Sequence, residues 1–379
     1  MRKAYRYRLY PTGKQAAFLD GQVAEACRLY NAALQERRDA YRIAGRSLNY
    51  YEQANQLKEI RAAGDLALEN FSCSQDVLRR VDKTFKTFFA RVKKGGTAGF
   101  PRFKPRSRFD SITFPSYGDG CRLLPYGKLK IQGAGHIKVK LHRPIVGTIK
   151  TVTIKREAGK WYVCFSVEYE PAPLPHSAEA VGLDVGLSAF VTLSDSTEVE
   201  NPRHYREAQA RLRRAQRKVA RRKRGSNRRR KAVVLLQKAH AHVRNQRTNF
   251  HHQLSRTLVN QYGVIVVENL NVKGLSGGML AKSVHDAGWS AFLTKLAYKA
   301  AEAGRVFVKV DPRGTSQTCL CGARVPKTLK VRWHECEACG LSAPRDHISA
   351  QLILRLGLSL LGLTWPTAAS VPNEAVCFS

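Results

Sequence analysis

Three acidic residues lie in apolar surroundings within a chain that is otherwise strongly basic. Asp184 interrupts one apolar run, Glu268 closes a second, and Asp346 opens a helical pattern. A carboxylate at the edge of a buried strand is costly unless it is paired or bound to a metal ion. Three converging carboxylates can hold two Mg²⁺ ions about 3.5–4 Å apart, and such a pair activates water and stabilises the leaving oxygen in phosphodiester cleavage. The pattern therefore predicts two-metal chemistry with Mg²⁺, or with Mn²⁺ in its place.

Each acid also has a simpler interpretation when it is taken alone. Asp184 could be a turn residue at the end of a strand, and Glu268 could be a capping or ion-paired acid. Asp346 could be an acid at a helix N-terminus, where the helix dipole favours negative charge. The catalytic interpretation depends on all three acids occurring together on an α/β framework.

Four of the nine cysteines are clustered as two pairs separated by 14 residues: Cys319, Cys321, Cys336 and Cys339. Four thiolates at such spacing are typical of a closed, tetrahedral and therefore structural zinc site. The first pair is one residue tighter than the usual Cys-x-x-Cys, which makes His334 the nearest substitute ligand and leaves a zinc-free remnant as the alternative. An odd cysteine total with one tight cluster favours a reducing cytoplasm over a disulfide framework. Buried thiols are expected at the other five positions: Cys27, Cys73, Cys121, Cys164 and Cys377.

The charge of the chain indicates a polyanionic partner. Lys and Arg total 65 against 29 Asp and Glu, which gives a net charge of +36 and a pI of about 10.3. Nucleic acid is the first expectation. An anionic membrane is the alternative, but no segment reaches the ~18–20 apolar residues that a spanning helix needs. The N-terminus has no apolar region of the kind found in secretion signals.

Basic residues are concentrated in two segments, which we predict to contact phosphates. Only Glu207 is acidic between Tyr205 and Thr248, so an ordinary solvated helix face would suffer strong like-charge repulsion there. Aromatic residues interleave with cations near both Tyr5 and Phe100, and these could stack on nucleotides or fill a core; the tyrosines and phenylalanines concerned are Tyr5, Tyr7, Tyr10, Phe100, Phe103 and Phe109. The predicted phosphate-binding residues are Arg102, Lys104, Arg106, Arg213, Arg214, Arg217, Arg221, Arg222, Arg224, Arg228, Arg229 and Arg230.

Hydrophobic periodicity predicts the elements that must position these residues. An alternating strand over 2–10 is followed by helices over about 13–93 and by short strands of an antiparallel sheet or small barrel over 100–170. After a linker come strands within 181–200, a helical hairpin over about 203–260 that turns at Gly225-Ser-Asn227, and a strand at 264–267. A Gly-rich loop (274–278), a helix (about 289–303), a strand (305–310), the cysteine cluster and a last helix (344–356) follow. This order is the one expected of a ribonuclease H-like α/β domain.

The chain resembles the TnpB family of transposon-encoded RNA-guided nucleases, relatives of type V CRISPR effectors. The resemblance runs nearly end to end and depends on motifs in a fixed order: Tyr5-Arg-Tyr-Arg-Leu-Tyr-Pro11, Gly99-Phe-Pro-Arg-Phe-Lys-Pro105, Gly182-Leu-Asp-Val-Gly-Leu187, Phe250-His-His-Gln-Leu-Ser255, Val266-Val-Glu-Asn-Leu270, Thr315-Ser-Gln-Thr-Cys319, Cys336-Glu-Ala-Cys-Gly340 and Arg345-Asp346.

The resemblance implies a multidomain α+β protein. A split oligonucleotide-binding-like β-barrel wedge domain would be interrupted by a helical recognition lobe, and a RuvC-like nuclease domain would carry a zinc-ribbon insert. The expected ranges are 1–12 for the first wedge strand, 13–99 for the recognition lobe, 100–175 for the wedge barrel, 176–312 for the first nuclease part, including the hairpin at 203–260, 313–343 for the zinc ribbon, and 344–379 for the last helix and tail.

The resemblance also implies an activity. It predicts cleavage of double- and single-stranded DNA beside a short transposon-adjacent motif, directed by a guide RNA from the transposon end and performed by a monomeric ribonucleoprotein. Asp184, Glu268 and Asp346 would form the metal-binding catalytic triad, and Arg345 would stabilise transition-state charge or pair with a neighbouring acid. The segment 270–288 is a candidate lid over the site.

Two departures from the family pattern favour other interpretations. Pro344 and Ile348 stand where the family usually has Asp and Asn in its last motif, and the first cysteine pair is short. An RNA-guided DNA-binding regulator without cleavage is therefore one alternative. A zinc-ribbon RNA-binding protein without guided activity is another.

Overall fold

The computed structural model describes residues 1–328 and 331–363, and the chain divides into a first unit, Met1–Glu170, and a second unit that begins at Pro171. Each unit has buried apolar clusters of its own. No helix in the described ranges is both long and apolar enough to cross a membrane.

An antiparallel sheet of seven strands forms the base of the first unit, in the order β2-β6-β7-β1-β5-β4-β3. The N-terminal strand lies in its middle, paired with β7 on one side and β5 on the other. Its alternating sequence explains this position, because Tyr5, Tyr7 and Leu9 are buried while the residues between them face outward. The strands are β1 (Arg2–Tyr10), β2 (Ser111–Phe114), β3 (Cys121–Leu124), β4 (Lys128–Ile131), β5 (Gly135–Lys140), β6 (Thr148–Glu157) and β7 (Lys160–Glu168).

Three helices connect β1 to the rest of this sheet: α1 (Gly13–Ala44), α2 (Tyr50–Ala62) and α3 (Phe71–Lys93). Polar side chains cap their N-termini, since Thr12 and Asn49 both form capping boxes with the residue three positions later. Gly45 ends α1 in the left-handed conformation, with φ of +60°.

The second unit is built on a five-stranded sheet in the order β10-β9-β8-β11-β12. The strands β8, β11 and β12 are parallel, and β9 and β10 are antiparallel to their neighbours. All five residues of β11 are buried, and alternate residues enter different apolar clusters, so both faces of this strand are covered. The strands are β8 (Ala180–Val185), β9 (Ala189–Leu193), β10 (Glu198–Glu200), β11 (Val264–Glu268) and β12 (Val306–Val310).

Helices account for most of the remaining second unit. The predicted hairpin is present, and Ser226 caps its second arm by accepting a hydrogen bond from Arg229 N at 3.1 Å. A two-stranded ribbon, β13 (Trp333–Glu335) and β14 (Ser342–Pro344), precedes the last helix. The helices are α4 (His204–Ala220), α5 (Asn227–Gln261), α6 (Val272–Leu275), α7 (Ala281–Ala287), α8 (Trp289–Ala303) and α9 (Arg345–Leu360).

The prediction of a Gly-rich loop after β11 was wrong in part. The segment 270–288 contains α6 and α7, and Asn271 begins α6 by accepting a hydrogen bond from Gly274 N at 3.0 Å. The glycine content of this segment indicated a loop. It gives no information about a side-chain cap such as that of Asn271.

Candidate active site, metal centre and basic surfaces

The ends of β8 and β11 bring two of the three acids side by side. In this parallel pair Leu183 lies opposite Val267, so Asp184 and Glu268 occupy the next position on each strand. Neighbouring strands lie about 4.8 Å apart, and side chains alternate between the two faces of a sheet. Because Leu183 and Val267 enter the same apolar cluster, the two acids project from the opposite face.

Helix α9 covers that opposite face and carries the third acid. A Cβ atom added to Gly182 would lie 2.2 Å from Ala350 O, so the absence of a side chain there lets the helix backbone approach the strand. Asp346 precedes Ala350 by four residues and so lies one turn away on the same side of α9. Glycine at 182 therefore brings the first turn of α9 towards the end of β8, where Asp184 lies.

The electrostatics show that the three carboxylates are close enough to interact. Burial, together with the neighbouring charges of Glu268 and Asp346, raises the pKa of Asp184 to about 7 against the opposing effect of Arg345. Burial also raises the pKa of Glu268, which is only 9% exposed. Ionised carboxylates are disfavoured at this site, and a bound cation would stabilise them.

Asp346 is held by two arginines. Arg345 contacts Asp346 Oδ1 through Nε at 3.1 Å and Nη2 at 3.0 Å, and Arg332 Nη1 lies 3.7 Å from Oδ2. Arg345 also donates to Val331 O at 3.0 Å, so its side chain joins α9 to the segment before β13. Of the two roles predicted for Arg345, the pairing with a neighbouring acid is the one observed.

Thr315 is a contact of this site that the sequence interpretation missed. Its Oγ1 donates a hydrogen bond to Glu268 Oε1, and the residue is only 4% exposed. This bond opposes the effect of burial on the pKa of Glu268. Thr315 begins one of the motifs that carry the family resemblance, but no role was predicted for the residue itself.

The four clustered cysteines come together in space. Within the described ranges they are the only His, Cys, Asp or Glu group of three or more whose ligand atoms all lie within 4.8 Å of one another. Cys319 Sγ lies 3.6 Å from Cys339 Sγ, and Cys321 Sγ lies 3.7 Å from Cys336 Sγ. Four sulfurs placed tetrahedrally about 2.3 Å from one zinc ion would be about 3.8 Å apart. The short first pair therefore does not displace a ligand, and His334 is not needed as a substitute.

Each cysteine pair of this cluster is followed by a tight turn, and the pKa values of two of its thiols shift in opposite directions. Gly322 and Gly340 follow the two cysteine pairs with φ of +91° and +70°, a conformation that favours glycine. Burial raises the pKa of Cys319 to about 12. Burial acts in the same direction on Cys336, but hydrogen bonds from Cys339 and the other thiols lower its pKa to about 7. A cation bound among the four sulfurs would favour ionisation of the whole set.

The remaining described cysteines are Cys27, Cys73, Cys121 and Cys164, and burial raises the pKa of each. Cys27, Cys73 and Cys121 are buried as expected, whereas Cys164 is half-buried. Cys377 lies outside the described residues.

The hairpin of α4 and α5 presents its arginines to solvent. Arg214, Arg217, Arg221 and Arg222 line an open groove together with Lys218, and no acid lines it. Arg229 is an exception, because its Nη1 donates to Val219 O at 2.7 Å and thereby stabilises the hairpin turn. The other predicted arginines of the hairpin are exposed: Arg213, Arg224, Arg228 and Arg230.

Asp286 caps the first arm of this hairpin from a distant part of the chain. Helix α4 has no side-chain cap of its own, and Asp286 accepts hydrogen bonds from Tyr205 N at 2.8 Å and Arg206 N at 3.2 Å. Arg247 of α5 donates to His285 O at 2.7 Å, so α7 is tied to both arms. Sequence reasoning could not find this cap, because 80 residues separate Arg206 from Asp286.

The three basic residues predicted to contact phosphates in the first unit differ in their exposure to solvent. Arg102 and Arg106 are exposed, whereas Lys104 Nζ lies 4.2 Å from the centre of the Tyr30 ring. Tyr5 and Tyr7 are core residues, which settles the choice left open for them in favour of packing.

Comparison with known proteins identifies the family. Residues 163–278 match a family described as "Probable transposase", residues 289–353 a "Cas12f1-like, TNB domain", and residues 1–46 a "Helix-turn-helix domain". A "Putative RNA-guided DNA endonuclease" of Streptomyces pristinaespiralis is 34% identical over 371 residues, covering 95% of this chain and 90% of that protein. The chain belongs to the TnpB family.

Other similarities of this TnpB-family chain agree with that assignment. The "Putative RNA-guided DNA endonuclease InsQ" of Escherichia coli (strain K12) is 29% identical over 383 residues, covering 95% of this chain and 93% of that protein. The solved structure of "the mini-RNA-guided endonuclease CRISPR-Cas_phi3" has a TM-score of 0.50 at 10% identity and covers 98% of this chain and 94% of its own. The second similarity concerns the fold alone.

In this TnpB-family chain two residues differ from the family's usual last motif, Pro344 and Ile348, and both have structural roles. Pro344 pairs with Trp333 in the ribbon of β13 and β14 and precedes the first turn of α9. Ile348 is 3% exposed and lies on the packed side of α9. Neither residue replaces any of the three acids.

Proposed function

We propose that this protein is an RNA-guided DNA endonuclease that cleaves beside a short transposon-adjacent motif by two-metal-ion hydrolysis. In this proposal the second unit is a RuvC-type nuclease, and the sheet of the first unit with α1–α3 corresponds to the wedge domain and recognition lobe. The observation that carries the proposal is the convergence of Asp184, Glu268 and Asp346 at one sheet edge of a TnpB-family chain. Its relatives described as putative RNA-guided DNA endonucleases support a DNA substrate selected by a guide RNA.

The residues of this edge fit a pair of divalent cations. All three acids supply carboxylate oxygens, the kind of ligand that suits Mg²⁺ and Mn²⁺; among the described residues these oxygens do not all lie within 4.8 Å of one another, and Asp346 is paired with Arg345 and Arg332. Mg²⁺, or Mn²⁺ in its place, would supply an activated water and charge stabilisation at the leaving 3′ oxygen. Asp184 and Glu268 would provide ligands from fixed strand ends, and Thr315 would fix the orientation of Glu268. Asp346 would provide the third ligand once its contacts with Arg345 and Arg332 loosen.

A structural Zn²⁺ ion fits the four cysteines. Their sulfur separations match the edges of a tetrahedral thiolate site, and no open coordination position is implied. The ion would fix the segment that contains Thr315 and Arg332, two residues that contact the acids. Its contribution to cleavage is therefore positional.

The basic surfaces fit a guide RNA and its DNA target. Contacts to phosphate carry no sequence information, so an arginine groove such as that of α4 and α5 suits a duplex of any sequence. In a guided nuclease base pairing supplies the sequence, and the protein reads only duplex shape and a short motif. No observation favours a regulator without cleavage or a non-guided RNA-binding protein.

A target library tests the proposal. The protein is purified with its native flanking RNA, supplied with Mg²⁺ and incubated with plasmids that carry the guide-matched target beside randomised bases. We expect cleavage that follows both the guide and one flanking motif, and none with Asp184→Ala. Specific binding without cutting by the parent protein would instead support the regulator, and heterogeneous RNA without guided binding would support the third alternative.

A further inference from the structure

One segment of the first unit combines aromatic and basic residues without any acid. Residues 83–109 contain six phenylalanines and nine lysines or arginines, but no aspartate or glutamate. This stretch comprises the end of α3 and the connection that leads towards β2. Aromatic rings interleaved with cations are typical of proteins that bind unpaired nucleotides, because rings stack on bases while cations contact phosphates.

Four of these phenylalanines form one surface, which we call the phenylalanine surface: Phe88, Phe89, Phe100 and Phe103. The Phe88 ring lies 5.2 Å from that of Phe89 and 5.5 Å from that of Phe100, measured between ring centres. Phe103 borders a groove that Phe100 also lines. Phe89 is 57% exposed, Phe100 49% and Phe103 44%, so much of each ring faces solvent.

The surface is held by the core beneath it. Phe85 packs against the apolar core of the first unit, and its ring lies 5.9 Å from that of Phe100. Asn31 of α1 fixes the connection through both backbone groups of Lys104, donating to its carbonyl and accepting from its amide at 2.9 Å each. Phe109 is 4% exposed and belongs to the core. The exposed rings are therefore presented by a fixed backbone.

Five cations lie beside the surface. Arg38 and Arg102 line the groove beside Phe103, and Arg91, Lys93 and Lys94 follow Phe89 at the end of α3. In the described residues none of these five side chains makes an ion pair. A second copy of this chain is a poor partner, because a two-fold contact would bring these like charges together.

We propose that the phenylalanine surface stacks on unpaired bases of the guide RNA, with Arg38 and Arg102 contacting the adjoining phosphates. This inference rests on the proposed function and specifies where one partner binds. We assign the surface to RNA because loops and bulges of a structured guide offer splayed bases before any target is present. Bases of the target DNA are paired until the guide opens the duplex, so a displaced strand is available only after the guide RNA is bound.

Equilibrium binding of guide RNA in the absence of target DNA tests this inference. Full-length Phe89→Ala and Phe100→Ala are compared with the parent protein and with Tyr126→Ala, whose substituted side chain is 99% exposed and lies outside the surface. We expect about 5- to 100-fold weaker binding for each phenylalanine variant and no change for the control. Phe89→Trp, which keeps an aromatic face, should bind as the parent does.

Two further measurements separate stacking from other causes. Because stacking carries no charge, the dependence of the dissociation constant on salt should be unchanged by Phe89→Ala, whereas Arg102→Gln should reduce its slope by about one. Chemical probing should show guide bases that the parent protein protects and that Phe100→Ala leaves reactive. Thermal unfolding of each variant reports whether the fold is kept.

Three results would overturn the inference. The first is unchanged RNA affinity and protection in folded variants, and the second is a defect that appears only when target DNA is added. The third is a dimeric parent protein that becomes monomeric on Phe89→Ala, which would assign the surface to protein contact. Failure of the parent protein to cleave any guided target would instead count against the proposed function, and the RNA measurements would not depend on it.

Discussion

Thr315 Oγ1 donates a hydrogen bond to Glu268 Oε1 and so joins the segment after β12 to the end of β11. The bond fixes the orientation of the Glu268 carboxylate. Hydrogen bonds of this kind commonly orient the ligands of a metal ion. Thr315→Val keeps the shape of the side chain but removes the donor. We expect it to raise the Mg²⁺ concentration needed for half-maximal cleavage by about tenfold or more.

Thr315→Ser is the matched control, because it keeps the hydroxyl and should recover most of the Mg²⁺ affinity. Binding of Mn²⁺, followed by electron paramagnetic resonance without substrate, provides a readout independent of cleavage. Equal Mn²⁺ affinity in the Val and Ser variants would contradict a positioning role for Thr315.

The raised pKa of Asp184 predicts how stability depends on pH in protein without Mg²⁺. The folded state holds this proton up to about pH 7, whereas an unfolded chain releases it near pH 4. The unfolded state is therefore favoured as pH rises between these values, and the free energy of unfolding should fall across this range and then level off. Asp184→Asn should reduce that fall and be more stable than the parent at pH 8.

Thermal unfolding at several pH values, in buffer that retains zinc but lacks Mg²⁺, measures this effect. Some fall should remain in the variant, since the pKa of Glu268 is raised as well. Parallel pH profiles for the parent and Asp184→Asn would contradict a raised pKa at Asp184.

Gly182 determines how closely α9 approaches β8. The Cβ atom of Gly182→Ala would lie 2.2 Å from Ala350 O and 2.7 Å from Leu354 N, and helix backbone cannot yield as a flexible side chain does. We expect loss of about 1–3 kcal/mol of stability and a large loss of cleavage, because Asp346 would move with the helix. Gly278→Ala meets nothing within 4 Å and is the control.

Unfolding temperature and single-turnover cleavage, measured below the unfolding temperature of each variant, separate the two effects. Cleavage at the parental rate by folded Gly182→Ala would show that the spacing of α9 and β8 is not critical.

Asp286 should stabilise the arginine hairpin through the N-terminus of α4. Asp286→Ala removes the acceptor for two backbone N–H groups, and loss of such a cap costs about 1 kcal/mol. Faster hydrogen exchange of the first turn of α4 is expected, together with weaker binding of guide–target duplex. Asp286→Asn retains one acceptor oxygen and should give an intermediate result; unchanged exchange at Tyr205 and Arg206 would refute the cap.

The cysteine cluster should hold one zinc ion per chain. Cys336→Ser removes one of four thiolate ligands, so we expect zinc loss and loosening of the segment that carries Thr315 and Arg332. Metal analysis by mass spectrometry measures the content. His334→Ala is the informative comparison: it should keep its zinc, and loss of zinc from this variant would mean that the histidine takes part in coordination.

Local patterns predicted the elements well. Alternation identified β1, the apolar run identified β11, and periodicity gave α8 the limits observed, Trp289–Ala303. The cap of α5 is also local, because the contact between Ser226 and Arg229 spans only three residues. Tyr5 and Tyr7 could not be assigned, since an alternating basic and aromatic strand has the same sequence whether its rings enter a core or bind nucleotides.

The sequence by itself determined the chemistry available to this protein: three acids on an apolar framework, four clustered thiols, a large positive charge and the motifs that place it in the TnpB family. The tertiary structure decided which groups meet. Thr315 reaches Glu268 across 47 residues, Asp286 reaches Tyr205 across 81, and Arg332 reaches Asp346 through the ribbon before α9. Contacts of this kind depend on packing between elements that are distant in the chain. Periodicity and helix caps depend on residues that are neighbours in the chain, so they can be predicted from a single sequence.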